Sequence, residues 1–471
     1  MSFQIRRLIS VGCLFAILAL AMLGTTGAGA VLVLRITQTP GFGSCGLVQG
    51  TTSGVAPADY YVAMLIYVPG SGFWSKPYCE PRYILINPDG SWSASMCSGG
   101  IDNMATMVEA YLFPKTSYPA GYPQCVLGAG CVPESLVSAS VASDRVLRSG
   151  QRKFRWSGYD WLVKTSGVGL VGPGSNYFSD STDNAWVDAN GRLHLKIANR
   201  SGVWYCAEVS TDARIGYGTY RFYCDSRVDN MDPNVVLGLF TWSDFSCSYA
   251  HREIDIEFSK WSDPANSNNA QFLIQPYDVS GNMHRFVMTS AATSTHSFTW
   301  RPNDCAFVSV EGHCAVPNQC TAVDSWTFPR PQDVPPSSDE RLHLNLWLNN
   351  GLAPANGQEA EVVLSGFEFE PWRDPARPIY GINNRTADYG LIAGISSTAT
   401  FRLWGRVLLK DCGGISINDG STDNTGSVKL IRVIEPGNTF GLSDFVQAEG
   451  LLTPGSPTLL DAVTGRVTGI R

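Results

Sequence analysis

The sequence predicts an all-β protein with more than one domain. Its 471 residues include 47 glycines and 11% aromatic residues, and long helical patterns are scarce. Short apolar runs alternate with turn signals such as P-G-S-G and N-P-D-G, which is typical of sheets joined by tight turns. A composition of 44% apolar and 16% charged residues suits several compact domains rather than disorder.

The amino terminus has the pattern of a secretory signal peptide. Arg6 and Arg7 precede an apolar run over residues 8–24, and the small residues Ala28 and Ala30 follow it. We expect residues 1–30 to be a signal peptide that is cut after Ala30. An uncleaved membrane anchor is the alternative, because the run is long and V-L-V-L follows it. Cleavage predicts a secreted or cell-surface protein that makes no membrane contact.

The cysteines also favour an oxidising compartment. The chain has 13, and loss of Cys13 with the leader leaves an even number. Five precede residue 150, six lie between residues 206 and 320, and Cys412 stands alone. Pairing confined to each domain would leave one of the first five free or bridged to Cys412. No cysteine or histidine cluster has zinc spacing, so no metal site is predicted.

Residues 31–145 predict a small β-sandwich. Tyr60–Val68 and Arg82–Ile86 are rich in β-branched and aromatic residues and are bounded by turn signals. The stretch from Ser135 to Arg152, rich in Ser, Val and Ala and then basic, is typical of a linker. We therefore place a domain boundary between residues 145 and 150.

The segment R-E-I-D-I-E-F-S-K-W, residues 252–261, organises the next part of the chain. Its acids Glu253, Asp255 and Glu257 alternate with apolar residues, which places three carboxylates on one face of a strand. The backbones of Glu253 and Glu257 are then about 13 Å apart. Side chains that lean together can reach the ~5–5.5 Å separation of a retaining glycosidase pair. The alternative is an exposed strand with a solvated acidic face.

Two further strands predict polar side chains beside these acids. N-A-Q-F-L-I-Q-P places Gln271 and Gln275 on one face, and R-L-H-L-N-L-W-L does the same for His343, Asn345 and Trp347. A concave sheet that carries amides and aromatic rings is suited to an extended sugar chain. Near the acids, the aromatic residues Trp242 and Trp261 also suit sugar stacking. His251 and His284 are not expected to be catalytic.

The acidic segment E-I-D-I-E-F resembles the E-x-D-x-E signature of glycoside hydrolase family 16. Similar segments follow in the family's order over residues 150–372: W-V-D-A-N-G-R-L-H-L-K-I, Y-G-T-Y-R-F, G-L-F-T-W, H-S-F-T-W, L-N-L-W-L and V-L-S-G-F-E-F. The resemblance implies a β-jelly-roll, a concanavalin-like sandwich. It also implies that Glu253 is the nucleophile, that Asp255 assists it and that Glu257 is the acid/base.

The resemblance implies a secreted, endo-acting and retaining β-glycan hydrolase with a polysaccharide substrate. An early loop of the family lines the sugar cleft with an Asn and an aromatic residue, which Asn176 and Phe178 resemble; loop capping and core packing are the alternative. No cofactor is required, although a structural Ca²⁺ is frequent in the family. A non-catalytic lectin or a cell-surface structural protein remains the competing function. The net charge of −7 argues against a nucleic-acid partner.

The substrate stays open between β-1,3-glucan and mixed-linkage β-1,3-1,4-glucan. The strand lacks the extra residue of the bulged E-I-D-x-x-E found in many β-1,3-glucanase relatives. Xyloglucan and sulfated galactans are also substrates within the family. Few Arg or Lys residues near the motif argue against a sulfated polymer.

The flanking regions carry weaker functional signals. Beside a glycan hydrolase, Trp74, Tyr78, Trp92 and Tyr111 of the amino-terminal sandwich either stack on sugars or fill a core. Residues 375–471 predict a small β-barrel, because short strands with D-G-S and S-D-F-V turns resemble the order of an OB-fold.

Overall fold

The computed structural model describes residues 32–77, 81, 83–117, 125–244, 247–289, 291–316 and 319–372, and the backbone of six strands between residues 379 and 469. The predicted leader, Tyr78 and Cys412 lie outside these residues. The strands form four sheets, which confirms the all-β prediction. In the described part of the chain, no helix has the length and apolar character needed to span a bilayer.

Two sheets build the amino-terminal unit. One has the order β1-β2-β6, and the other has the order β8-β4-β3-β7-β9 with β5 on β3. Side chains of both sheets share one core, as the predicted β-sandwich requires. Its elements are β1 (Val33–Gln38), β2 (Leu47–Ser53), β3 (Tyr60–Val68), β4 (Gly72–Lys76), β5 (Ile84–Leu85), β6 (Ser91–Ser95), β7 (Met107–Pro114), β8 (Leu127–Ala129), α1 (Glu134–Ala139) and β9 (Ala142–Leu147).

The structure corrects one expectation for this unit and decides between two alternatives for its aromatic residues. The stretch predicted as a linker instead forms α1 and the edge strand β9, which pairs along β7. Trp92 and Tyr111 are buried in the two cores of the unit, so they do not present their rings to a sugar. Trp74 packs against the core and donates its Nε1–H to the Ser71 carbonyl.

The middle of the chain folds into one large, strongly curved sheet. Its elements are β10 (Lys153–Trp156), β11 (Tyr159–Val163), β12 (Tyr177–Phe178), β13 (Ala185–Val187), β14 (Leu193–Arg200), β15 (Val203–Thr211), β16 (Gly218–Cys224), β17 (Val235–Trp242), α2 (Tyr249–Arg252), β18 (Ile254–Phe258), β19 (Ala270–Ile274), β20 (Met283–Phe286), β21 (Ser294–Arg301), β22 (Asp304–Glu311), β23 (Ala322–Thr327), β24 (Arg341–Leu348) and β25 (Ala360–Pro371).

The hairpin of β14 and β15 connects the two layers of a sandwich. One layer runs β20-β19-β18-β17-β24-β15 and continues to β11 and β10. The other runs β14-β25-β16-β21-β22-β23. Alternate side chains of both layers meet in a single core that contains Trp161, Tyr220, Phe298 and Leu344. This is the jelly-roll sandwich that the sequence predicts.

The disulfides correct the expected cysteine pairing. Cys45–Cys97 and Cys314–Cys320 are local, but Cys131–Cys247 joins the amino-terminal unit to the middle domain. Cys206, Cys224 and Cys305 are buried free thiols. Pairing confined to domains is therefore wrong, because Cys131 and Cys247 are 116 residues apart in sequence and only the packing of the two units brings them together.

The carboxyl-terminal strands close into a small barrel. The ring runs β27-β28-β29-β31-β30 and returns to β27, with β29 and β31 parallel. A closed five-stranded ring agrees with the predicted OB-type barrel. The strands are β26 (Ile379–Gly381), β27 (Thr400–Asp411), β28 (Gly414–Asn418), β29 (Ile431–Ile434), β30 (Phe445–Leu452) and β31 (Leu459–Gly469).

Candidate active site

Strand β18 separates its apolar and acidic side chains as the alternation predicts. Ile254, Ile256 and Phe258 are fully buried in the sandwich core. Asp255 and Glu257 point to the opposite face. The pairing of β18 with β17 and with β19 is regular, without a bulge, so the two-residue period holds along the whole strand.

Residues of seven neighbouring strands form rows across the concave face. One row has Glu257 at its centre and runs through Arg285, Gln271, Glu257, Gly238, Asn345 and Glu208. The row beside it has Asp255 at its centre and runs through Met283, Leu273, Asp255, Phe240, His343, Ser210 and Leu162. A cleft that crosses the strands therefore has the acids on its floor.

A cavity of about 820 Å³ lies over these rows. Three acids and six binding residues that the sequence predicts line it together. They are Glu253, Asp255, Glu257, Trp242, Trp261, Gln271, Gln275, Asn345 and Trp347.

Glu257 is held by a chain of hydrogen bonds along its row. Gln271 Nε2 donates to Glu257 Oε2 over 2.6 Å, and Arg285 Nε donates to Gln271 Oε1 over 3.1 Å. Burial raises the pKa of Glu257 to about 7, while the Gln271 hydrogen bond and the charge of Arg285 act in the opposite direction. A carboxyl group with this pKa keeps its proton near neutral pH and can also release it.

Glu253 and Asp255 influence each other's pKa. Burial and the charges of Glu253 and Glu257 raise the pKa of Asp255 well above its ordinary value. Burial and the charge of Glu257 also raise the pKa of Glu253, but a hydrogen bond with Asp255 lowers it. The interaction between the two carboxyl groups therefore lowers the pKa of Glu253 and raises that of Asp255.

A left-handed turn positions Glu253 at the start of the strand. Helix α2 is a single turn in which all four residues have positive φ, from 48° at Ala250 to 60° at His251. Such backbone is costly for residues other than glycine and clusters at functional sites. Within the turn, the His251 ring stacks on Trp242 at 3.9 Å between centroids, and its Nδ1 lies 2.9 Å from the Ser243 carbonyl oxygen.

The other two tryptophans of the cavity are Trp261, which follows β18, and Trp347 on β24. The rings of Trp261 and Trp347 meet edge to face at 6.1 Å. Between Glu257 and Asn345 lies Gly238, where an added Cβ would be 2.5 Å from Asn345 Oδ1. A glycine is therefore needed at this position for the Asn345 amide to lie over the sheet.

Asn176 and Phe178 do not line the cleft, and their predicted role is wrong. The Asn176 amide donates to the carbonyl oxygens of Pro173 (2.9 Å) and Leu348 (2.8 Å), which caps the loop. Phe178 is 1% exposed and belongs to the sandwich core. Its position in a strand with alternating burial turns its ring inward, so the core-packing alternative describes it.

The sequence reasoning missed an ionic group in the cleft. Lys164 Nζ donates to Glu208 Oε2 over 2.8 Å, and His343 Nδ1 lies 3.1 Å from Glu208 Oε1. Burial alone would raise the pKa of Glu208, but Lys164 and His343 outweigh it and lower the pKa to about 2. Glu208 is an acid in the otherwise apolar segment C-A-E-V, and this pattern was the sequence signal that could have indicated the ionic group. With Arg285 and Arg341 also in the cavity, the cleft has more basic groups than expected.

Acidic or thiol clusters that would hold a metal ion are absent from the part of the chain that the structure describes. No three His, Cys, Asp or Glu side chains there converge on one point with the spacing a metal requires. The structural Ca²⁺ that the family resemblance implies is therefore not assigned to any residues.

Solved structures provide the comparisons with known proteins. No protein-family model matches the chain, and no curated protein matches it. A Mycobacterium tuberculosis immunostimulatory antigen and pseudo β-1,3-glucanase is 18% identical, with a TM-score of 0.34 over 45% of this chain and 91% of that one. The middle of the chain is similar to family 16 proteins.

Two other structures show the same extent of similarity. A β-1,3-glucanase from Mycobacterium marinum is 16% identical, with a TM-score of 0.34 over 45% of this chain and 91% of that one. A GH16 protein of the Bacteroides ovatus mixed linkage glucan PUL, in complex with a G4G4G3G product, is 11% identical, with a TM-score of 0.34 over 45% and 94%. At these identities, the role of each residue in the family 16-like domain rests on the geometry of this chain.

Proposed function

We propose that the chain is a secreted β-glycan hydrolase that retains configuration at the anomeric carbon. The observation that carries the proposal is the row of Glu253, Asp255 and Glu257 on the floor of a long cleft. Two carboxyl groups with different proton affinities are the chemical requirement for glycoside cleavage. Three acids in one row, of which Asp255 is buried, would repel one another in a protein that only binds sugar, which disfavours the lectin alternative.

The reaction proceeds in two displacements. Glu253 attacks the anomeric carbon as the bond to the leaving oxygen breaks, and Glu257 gives its proton to that oxygen. Water then attacks the anomeric carbon, Glu257 takes a proton from the water, and the bond from the sugar to Glu253 breaks. Both displacements invert the anomeric carbon, so the product retains the original configuration.

The electrostatics of the row suit these roles. A raised pKa of about 7 lets Glu257 hold a proton before the first step and recover it in the second. Asp255 shares its proton with Glu253, which favours the anion on the nucleophile. One negative charge among these three carboxyl groups is also the ionised state with the least repulsion.

The cleft carries suitable contacts for a neutral sugar chain. Trp242, Trp261 and Trp347 offer rings for stacking, and the Gln271, Gln275 and Asn345 amides offer hydrogen bonds to hydroxyl groups. The Asn345 Oδ1 atom is buried and has no hydrogen-bond partner within the described residues. The regular, unbulged strand keeps both mixed-linkage β-1,3-1,4-glucan and β-1,3-glucan as proposed substrates.

Export is part of the proposal. The signal-like leader and three disulfides within the described residues suit an oxidising compartment. Substrate polymers that cannot enter a cell would then meet the enzyme outside it.

Hydrolysis of a substrate panel tests the function. The purified protein is incubated with β-1,3-glucan, mixed-linkage glucan, xyloglucan and a sulfated galactan, and reducing ends are measured. We expect reducing ends from at least one β-glucan and almost none from Glu253→Gln, with both proteins folded by circular dichroism. Longer products instead of shorter ones would identify transglycosylation by the same intermediate. Equal release by the wild type and Glu253→Gln, or none from any polymer, contradicts the proposal.

A further inference from the structure

The amino-terminal unit is fixed to the family 16-like domain beside the cleft. Bonds of three kinds join them. They are the disulfide Cys131–Cys247, the hydrogen bond from Tyr67 Oη to Asp244 Oδ1 (2.8 Å) and the backbone hydrogen bond from Gly172 N to Gly70 O (2.8 Å).

As a result of this packing, part of the amino-terminal unit lines the cavity. The tip of the β3–β4 hairpin, residues 69–72, lines the cavity together with Tyr67, Thr106 and Gly130. They share this lining with Glu208 on β15, and with Leu162 and Lys164 on and after β11. Since β15 and β11 lie at one side of the concave sheet, the unit stands at one end of a cleft that crosses the strands.

The two ends of the cleft differ in their access to solvent. At the β15 end, Glu208 is 5% exposed and Tyr67 is 4% exposed. At the opposite end, beyond β19, Tyr277 is 65% exposed and Met283 is 38% exposed. The second end is therefore open to solvent, whereas residues 69–72 of the amino-terminal unit stand beside the first end.

The β15 end of the cleft lies near the acids. From β18 the strands run β17, β24 and β15, which are three spacings of about 4.8 Å, or roughly 14 Å. That length accommodates only a few pyranose rings between the scissile bond and the residues of the amino-terminal unit at this end, which we call the wall. The ion pair of Glu208 and Lys164 at this end offers charged partners for the hydroxyl groups of a terminal sugar.

We propose that the amino-terminal unit closes the cleft and makes the enzyme remove a short oligosaccharide of fixed length from a chain end. The inference rests on the proposed function and replaces the endo-cleavage that the family resemblance implies. An endo-acting enzyme needs a cleft open at both ends, so that the polymer can lie across it. Here the terminus of the chain meets the wall, and the distance from the wall to the acids sets the product length.

Product analysis of the wild-type full chain tests the proposal. The β-glucan that gives the most reducing ends in the panel is digested, and early products are separated by size while viscosity is followed. We expect one short oligosaccharide from the first time points, with slow loss of viscosity per reducing end. A ladder of many lengths with rapid loss of viscosity would overturn the proposal. Absence of reducing ends from every polymer would instead reject the proposed hydrolase function, and this inference with it.

A second experiment loosens the wall. The triple variant Cys131→Ser, Cys247→Ser and Tyr67→Phe removes the disulfide and one hydrogen bond between the units. We expect longer and more varied products from it. The matched control is Cys314→Ser with Cys320→Ser, which removes a disulfide outside the cleft and should keep the wild-type product. A folded triple variant that releases only the wild-type product would overturn the assignment of product length to this unit.

Discussion

Gln271 lies directly opposite Glu257 in the neighbouring strand, and its amide donates a 2.6 Å hydrogen bond to the Glu257 carboxylate. Arg285, the next residue in the row, orients that amide by donating to its oxygen. The proton affinity of the proposed acid/base is therefore tuned by a residue that is 14 positions away in sequence.

Replacing Gln271 with leucine removes this tuning. A hydrogen bond to a charged group contributes about 1.5–3 kcal/mol, so we expect kcat/KM to fall roughly 10-fold to 100-fold. The alkaline limb of the pH–rate profile should move to higher pH, because the Gln271 hydrogen bond lowers the pKa of Glu257. The control is Gln358→Leu, at an exposed loop residue. An alkaline limb that stays in place would contradict the role of Gln271.

Glu257 should also reduce the stability of the protein at high pH. Its pKa is raised from 4.5 to about 7 by burial, so the folded state binds this proton more tightly than the unfolded state. The stability gained from the proton is fully present below about pH 4.5 and is lost as the pH rises to 7. We expect Glu257→Gln to raise the free energy of unfolding relative to the wild type by about 2–3 kcal/mol more at pH 8 than at pH 4.5.

Denaturant unfolding at the two pH values measures this difference. The matched control is Glu134→Gln, at an exposed residue of α1. Its effect should be the same at both pH values. An equal effect of Glu257→Gln at pH 4.5 and pH 8 would show that Glu257 is not held protonated by its surroundings.

A substitution of Gly238 tests whether the position of the Asn345 amide on the cleft floor matters for substrate binding. In Gly238→Ala the new methyl group meets Asn345 Oδ1, so the amide must move away from the acids. We expect a loss of roughly 1–3 kcal/mol in stability from overpacking and a larger KM for the polymer. Gly366→Ala, in strand β25 of the outer layer, is the control, since its Cβ meets only the edge of the Tyr223 ring at 3.3 Å. Equal KM values for both variants would remove Asn345 from the substrate contacts.

Substitutions of Asp255 test whether this residue shares a proton with Glu253. Asn keeps a hydrogen-bond donor beside Glu253, whereas Ala does not, so we expect Asp255→Asn to retain more kcat than Asp255→Ala. Both variants relieve the repulsion among the three acids and should fold. Turnover of an aryl β-glycoside compares them. If Asp255→Ala is as active as Asp255→Asn, the proton of Asp255 does not serve Glu253.

The sequence predicts the floor of the cleft better than its ends. A period of two residues fixes which side chains of a strand share a face, and so it placed Glu253, Glu257, Gln271 and Asn345 correctly. Asn176 was misassigned because an amide suits a loop cap as well as a sugar, and only the positions of nearby carbonyl groups distinguish the two.

The closed end of the cleft depends on contacts between distant parts of the chain. Cys131 and Cys247 are 116 residues apart, and Tyr67 and Asp244 are 177 apart. No local pattern specifies such pairs. The P-G-S-G turn at residues 69–72 predicts a hairpin, but its place against Gly172 follows only from how the two units pack.

Azide rescue of the two glutamate variants tests the central assignment most directly. With an aryl β-glycoside that has a good leaving group, Glu253→Ala and Glu257→Ala are each assayed with and without sodium azide, and the configuration of any glycosyl azide is determined by NMR. We expect azide to replace the nucleophile in Glu253→Ala and give the α-azide. In Glu257→Ala it should attack the glycosyl-enzyme and give the β-azide. The reverse pattern, or full activity of either variant without azide, would contradict the roles of Glu253 and Glu257.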